Sequence, residues 1–357
     1  MIPRGSHRHK VFLANKATRL MKRTIAFHRK RKYRLECKIK GIPYTYKLGR
    51  AYKKCIRRQI VTKDIPENFN ALNNHNSVFG FVGELLDMHS NRKLKEINLN
   101  LENVQSIDSV AICLLLTVAT ELANHGIKVF GNTPKNKACE ELFIQSGFLS
   151  HVKSSTGQDF NINSSNLIIE TGKNLTRNKD IAQAIRKSMG NLLGEERRYQ
   201  PAYTVAMEIC TNSVEHAYIN RPKHWKLSIN KQDDKLLFTM VDTGQGILKT
   251  IYRKFWKEVS DLLTSKDNHD ILYRAFQRKY GSSTLEVNRN KGFPCIMDKY
   301  EHGYIKNLKV ISNSVFLDFD NLKDKKTLVN SFDGVLFYWE IDLNCIQSFD
   351  NDNIKSI

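Results

Sequence analysis

From about residue 76 the chain moves between two hydrophobic periods. The stretch "SVFGFVGELLDMH" repeats its apolar residues at helical spacing, and "KEINLNLENV" alternates through Ile97, Leu99 and Leu101 as a strand does. "SVAICLLLTVATELANHG" predicts a long apolar helix ending at Gly126, where a left-handed cap is expected. "IKVFG" then predicts a short buried strand and "NKACEELFIQSGF" another helix. Strand and helix in alternation predict a small α/β sheet domain over residues 61–152.

The polar stretch "KSSTGQDFNINSSN", residues 153–166, is the expected linker. Beyond it come a short strand (Leu167 to Glu170), a helix around "DIAQAIRKSMGNLLG" and a second helix through "AMEICTNSVEHAY". "HWKLSINKQDDKLLFTMVDTGQGI" predicts two alternating strands joined at "KQDD". Residues 248–290 are polar and helical in texture. "YIKNLKVISNSVFLDFD" and "GVLFYWEIDL" return to strand. This pattern predicts an α+β domain with an antiparallel sheet over 167–345, followed by a tail, 346–357. There is no internal repeat.

Charge changes the picture at the N-terminus. Residues 1–60 hold twenty Lys/Arg and a single acid, Glu36, a local net of +19 out of +21 for all 357 residues. Aromatics are interleaved with the cations (Phe12, Phe27, Tyr33, Tyr44, Tyr46, Tyr52), and Tyr33, Leu35, Cys37 and Ile39 alternate as a strand would. Such a segment predicts binding to a nucleic-acid backbone, with rings available to stack on single strands. Arg29, Lys30, Arg31, Lys32, Lys53, Lys54, Arg57 and Arg58 are the candidate contacts. An acidic protein partner is the alternative, and an anionic membrane surface a third.

The seven cysteines are scattered without a CxxC pair, which predicts reduced thiols rather than disulfides or a zinc site. With no run of eighteen apolar residues and no signal-like h-region, a cytoplasmic location is expected and no membrane partner.

Candidate chemistry gathers in two places. On a 3.6-residue helix, Val205, Glu208, Ile209, Asn212 and His216 form one stripe, so a carboxylate and an amide stand where core is expected. One reading is a helix edge with Glu208 half exposed. The other is a site, because a buried carboxylate needs a partner such as Mg2+ with phosphates. About thirty residues on, "KLLFTMV" ends in Asp242-Thr243-Gly244-Gln245-Gly246-Ile247. An acid at a strand end can accept from a base amino group, and two closely spaced glycines let backbone approach.

ExxxN, a hairpin and DxGxG in this order resemble the ATP-binding domain shared by DNA gyrase, heat-shock chaperones, histidine kinases and MutL, the GHKL superfamily, over about 170–342. "EICTNSVEHAY" resembles the N box of anti-sigma-factor serine kinases, "VDTGQGI" the G1 box, and "FDGVLFYWEI" the closing strand. The resemblance implies a Bergerat-type α/β sandwich binding ATP and Mg2+. It implies that Asn212 ligates Mg2+, that Glu208 polarises a water or hydroxyl, and that Asp242 binds the adenine amino group. Gly244, Gly246 and Ile247 would form the loop at the nucleotide, and 248–290 the lid, with Ser282 and Ser283 in its small-residue segment "YGSSTL". The second glycine box departs from the family: "NRNKGFPCIM" keeps Gly292, puts Asn290 where the first glycine would be, and adds Pro294, which fits the first turn of a helix.

Residues 65–152 resemble, with less motif content, the STAS fold of anti-anti-sigma factors. The family's phosphorylatable position after Asp108-Ser109 is Val110 here, and Ser109 is expected as a helix N-cap. The fold class expected is thus an α/β STAS-like domain followed by an α+β ATP-binding sandwich, with the basic segment in front. The expected function is an ATP-binding regulatory protein with slow hydrolysis. Its nucleotide state would control a protein partner, met through the STAS-like domain, or nucleic acid. The alternatives are a serine/threonine protein kinase of the partner-switching type and a nucleic-acid-binding scaffold with a degenerate ATPase fold.

Overall fold

A computed structural model describes residues 7–39, 59–91, 94–146, 148, 153–154, 167–216, 224–254, 267–277 and 292–355. The chain forms two compact units, Met1–Gln59 and Ile60–Ile357.

In the first unit the described element is one long helix, α1 (His7–Ile39). The strand expected through Tyr33, Leu35, Cys37 and Ile39 is therefore corrected. Tyr33 and Cys37, four residues apart, are buried, whereas Leu35 between them is 61% exposed. That is the helical period, and a run of Arg and Lys, good helix formers, carries it without Gly or Pro. Arg29, Lys30, Arg31 and Lys32 lie exposed on α1. Lys53, Lys54, Arg57 and Arg58 fall outside the described residues.

The second unit is mixed α/β. Its N-terminal half holds β1 (Gln59–Asp64), β2 (Asn68–Phe69), α2 (His75–Asp87), β3 (Leu94–Asn100), β4 (Ser106–Ile107), α3 (Ser109–Asn124), β5 (Lys128–Gly131), α4 (Lys137–Gln145) and β6 (Lys153–Ser154). The sheet runs β1-β3-β5-β6, with the β3–β5 and β5–β6 pairs parallel, and β2 pairs with β4 apart from it. Gly126 takes φ +77 just past α3, as a left-handed helix stop requires. The expected Ser109 cap is corrected by one residue. Asp108 is extended and accepts from the Ala111 amide, so Ser109 is the first helical residue and is buried.

The C-terminal half holds β7 (Leu167–Lys173), α5 (Asn178–Leu193), α6 (Gln200–His216), β8 (His224–Gln232), β9 (Lys235–Asp242), α7 (Ile247–Lys254), α8 (Asn268–Phe276), α9 (Gly292–Glu301), β10 (Lys306–Asp318), β11 (Lys326–Asp342) and α10 (Leu343–Lys355). Its five strands form an antiparallel sheet in the order β10-β11-β9-β8-β7. The stretch expected as a tail is α10, which buries Ile346 and is held by Arg197 on Asp350.

Both faces of this sheet are covered. One face carries Trp225, Leu227, Ile229, Phe238, Met240 and Trp339 into a core closed by α5 to α9, with Phe238 and Trp339 stacked at 5.0 Å. The other carries Leu237, Val241, Phe316, Phe332, Leu336 and Tyr338 into the core of the N-terminal half. There α2 lies on β11 and α3 on β8 and β9, with Phe79 edge-on to Phe332 at 5.1 Å. Helix α3 is buried nearly all round because it packs on both sheets. Residues 61–152 and 167–345 thus share one hydrophobic core.

Covering that second face buries what alternation had marked as the polar side of β8. His224, Lys226, Ser228 and Asn230 are all buried. Lys226 reaches the Thr171 hydroxyl at 3.1 Å, and burial lowers its pKa from the ordinary lysine value. The imidazole Nε2 of His224 pairs with the Asn124 amide on α3 at 3.1 Å.

Candidate functional site

Helix α6 carries the predicted stripe. Val205 and Ile209 are buried in the core, and Glu208 and Asn212, at the edge of the same stripe, are half-buried. What faces them is the start of α9. A Cβ added at Gly292 would stand 3.1 Å from Glu208 Oε2 and 3.2 Å from Asn212 Nδ2. A side chain there would be tight against both polar groups, which would have to give by a few tenths of an ångström. Pro294 sits in the first turn of α9, where its missing N–H costs no hydrogen bond, and is buried.

Among the described residues Asn212 Nδ2 is buried without a hydrogen-bond partner. A buried orphan of this kind costs about 1–3 kcal/mol, which a native fold tolerates where a ligand completes it. Turning the amide over exchanges its nitrogen for its oxygen, so the same position can donate or ligate. Burial raises the pKa of Glu208 from the usual carboxylate value, with the Glu215 charge adding to it. That favours a carboxylate able to take up a proton.

Asp242 ends β9 and is buried. Its Oδ2 accepts from Ser213 Oγ at 2.7 Å and its Oδ1 from the Gly244 amide at 2.9 Å, with the Val335 amide as a third donor. Burial nevertheless dominates those bonds and pushes its pKa up to about 6. Ser213 follows Asn212 directly, so one hydrogen bond ties the ExxxN helix to the DxGxG strand.

The loop after Asp242 is locked onto β10. Gly246 has φ +84, and a Cβ there would collide with the Asn313 amide. Asn313 donates to the Gln245 carbonyl at 3.0 Å, and Ser312 Oγ accepts from the Ile247 amide at 2.7 Å. The register of β10 on β11 breaks at Ser312–Val315, and Asn313 takes φ +55 in that bulge. The Ile247 side chain itself is buried in the core.

Glu208, Asn212 and Gly292 are brought together, and Asp242, Gly244 and Gly246 form a second group joined to them through Ser213. Ser282, Ser283 and Asn290 lie outside the described residues, as does most of the expected lid. Ser213, Ser312 and Asn313 were missed. "SNS" inside an otherwise apolar strand was the available signal for the last two, since Asn tolerates the left-handed conformation that a bulge needs. Nothing in the sequence pattern separated Ser213 from its neighbours. Among the described residues no three His, Cys, Asp or Glu side chains gather as a metal site. A divalent ion here would rest on the Asn212 oxygen and on ligand oxygens, a donor set that suits Mg2+. No protein-family model matches this chain, and no curated protein matches it either.

Proposed function

We propose that the chain is an ATP-binding regulatory protein with a GHKL-type nucleotide site on α6, β9 and the start of α9, and a STAS-like module built into the same core. The observation that carries this reading is the meeting of Glu208 and Asn212 at Gly292, with the buried Asn212 amide left unpartnered among the described residues. Asp242 would accept from the adenine amino group while Ser213 and Gly244 hold its carboxylate in place. Gly292 would let phosphate come close to the α9 amides. Asn212 would hold Mg2+, which when bound neutralises phosphate charge. Glu208 would orient water and take its proton. With a single family glycine in the second box, hydrolysis would be slow.

Nucleotide state would act on nucleic acid held by the exposed cations of α1, which carry the charge such binding needs. The kinase alternative would not use the family's acceptor position in this chain, because Val110 is apolar and Ser109 beside it is 6% exposed.

The test is equilibrium binding of ATP with Mg2+ to wild type and to Asp242→Asn, with product analysis of the same samples. Loss of binding in the variant and ADP from the wild type are expected. Tight ATP binding by Asp242→Asn would sink the assignment.

A further inference from the structure

A cavity of about 520 Å3 lies between the outer face of α5 and the residues that open α6. That volume is within the range of small-ligand sites, about 300–1,000 Å3. It is not the site already described. Tyr203, on its wall, precedes Asn212 by nine residues, about 13 Å along α6 at 1.5 Å per residue.

Its wall is strongly basic. Lys179, Arg186, Lys187 and Arg198 line it against one carboxylate, Glu196, which is paired with Arg186 at 3.0 Å. Lys179, Lys187 and Arg198 have no ion pair among the described residues. All three are exposed and line one concavity, so an anion held there would be attracted by each.

The segment that presents Arg198 is fixed on both sides. Arg197 makes a two-pronged pair with Asp350 at 2.6 and 3.0 Å. The Tyr199 hydroxyl donates to the carbonyls of Tyr304 at 2.7 Å and Cys345 at 3.1 Å. Arg198 stands between these anchors, so its backbone is already ordered before any ligand arrives. Tyr203 is half-buried on the same wall and adds an aromatic side chain to it.

We propose that this cavity is an anion site for a small phosphorylated ligand that carries a ring, with Lys179, Lys187 and Arg198 on the phosphates and Tyr203 against the ring. Several cations lining one concave pocket suit a compact polyanion, whereas an extended strand calls for a stripe.

The test is calorimetric titration of the full chain with UTP in the presence of EDTA. UTP has the phosphates and a ring but no exocyclic amine for Asp242, and EDTA removes Mg2+. Saturable one-to-one binding is expected. The pair Lys187→Ala, Arg198→Ala should weaken it about tenfold or more. Asp242→Asn and the α1 variant with Arg29, Lys30, Arg31 and Lys32 all changed to Ala should leave it unchanged. Absence of saturable binding overturns the proposal, as does binding that Asp242→Asn or the α1 variant abolishes while the cavity pair does not. Displacement of UTP from the cavity by a single-stranded oligonucleotide at lower concentration also overturns it, in favour of nucleic acid as the occupant. Acetylation of wild type, read by mass spectrometry, guards against misfolding of the variant. UTP should protect Lys187, and equal modification with and without it counts against the site.

Discussion

Ser213 on α6 donates to Asp242 at the end of β9 at 2.7 Å, and this hydrogen bond joins the two halves of the candidate nucleotide site. Asp242 is buried and holds two backbone amides besides, yet its pKa stands at about 6 because burial outweighs all three bonds. The carboxylate is therefore poised to change charge near neutrality.

That poise has a sign. A carboxyl raised in the folded state stabilises fully below its unfolded value, 3.8, and loses that contribution as pH climbs through about 6. Asp242→Asn, which cannot ionise, should gain on wild type by about 2 kcal/mol between pH 4 and pH 7.5. Urea unfolding at both pH values measures the difference. A gap that does not grow with pH would show that Asp242 does not titrate in this window.

Ser213→Ala removes the donor that favours the charged form of Asp242. The Asp242 carboxyl should then titrate higher still, and ATP affinity at pH 7 should fall about tenfold, recovering as pH rises. A binding isotherm series from pH 6 to pH 8 reads this out. A pH-independent loss would assign Ser213 a purely structural role.

Glu208 and Gly292 separate binding from chemistry. Glu208→Ala should keep ATP binding within about threefold and lower turnover by about 100-fold, as expected for loss of a general base. Gly292→Val would drive a side chain into Glu208 and Asn212, and should lose both binding and turnover. Single-turnover assays beside equilibrium binding distinguish the two. Unchanged turnover in Glu208→Ala would remove it from the site.

The shared core predicts that residues 60–357 unfold as one unit. Phe332 packs on Phe79 across the two halves, and Phe332→Ala should cost about 3–5 kcal/mol. Probes in either half should lose the same amount in a single calorimetric transition. Two resolved transitions would mean that α2 and α3 release from the sheet.

The exposed Arg29, Lys30, Arg31 and Lys32 on α1 predict a salt-dependent affinity for nucleic acid. Changing all four to Ala should flatten the slope of log K against log salt by about 3 on single strands. Fluorescence anisotropy with a labelled oligonucleotide at several salt concentrations measures it. An unchanged slope would assign the phosphate contacts to other residues.

Sequence alone determined the elements whose signals are local. The period of "SVAICLLLTVATELANHG" and its closing Gly126 specified α3, and the turn chemistry after Asp242 specified a strand that ends in a tight loop. The spacing of Glu208 and Asn212 placed them on one helical stripe. These features depend on neighbours within a few residues, so a one-dimensional pattern carries them. Tertiary structure decided the rest. The polar face of β8 reads as solvated by alternation, but α3 covers it and buries Lys226 and His224. The approach of Gly292 to Asn212, the hold of Ser312 and Asn313 on the Gly246 loop, and the fusion of two sheets through α2 and α3 all join residues far apart in the chain. Such contacts form because burying apolar area between whole elements outweighs local preference, and no period in the sequence records which elements will meet.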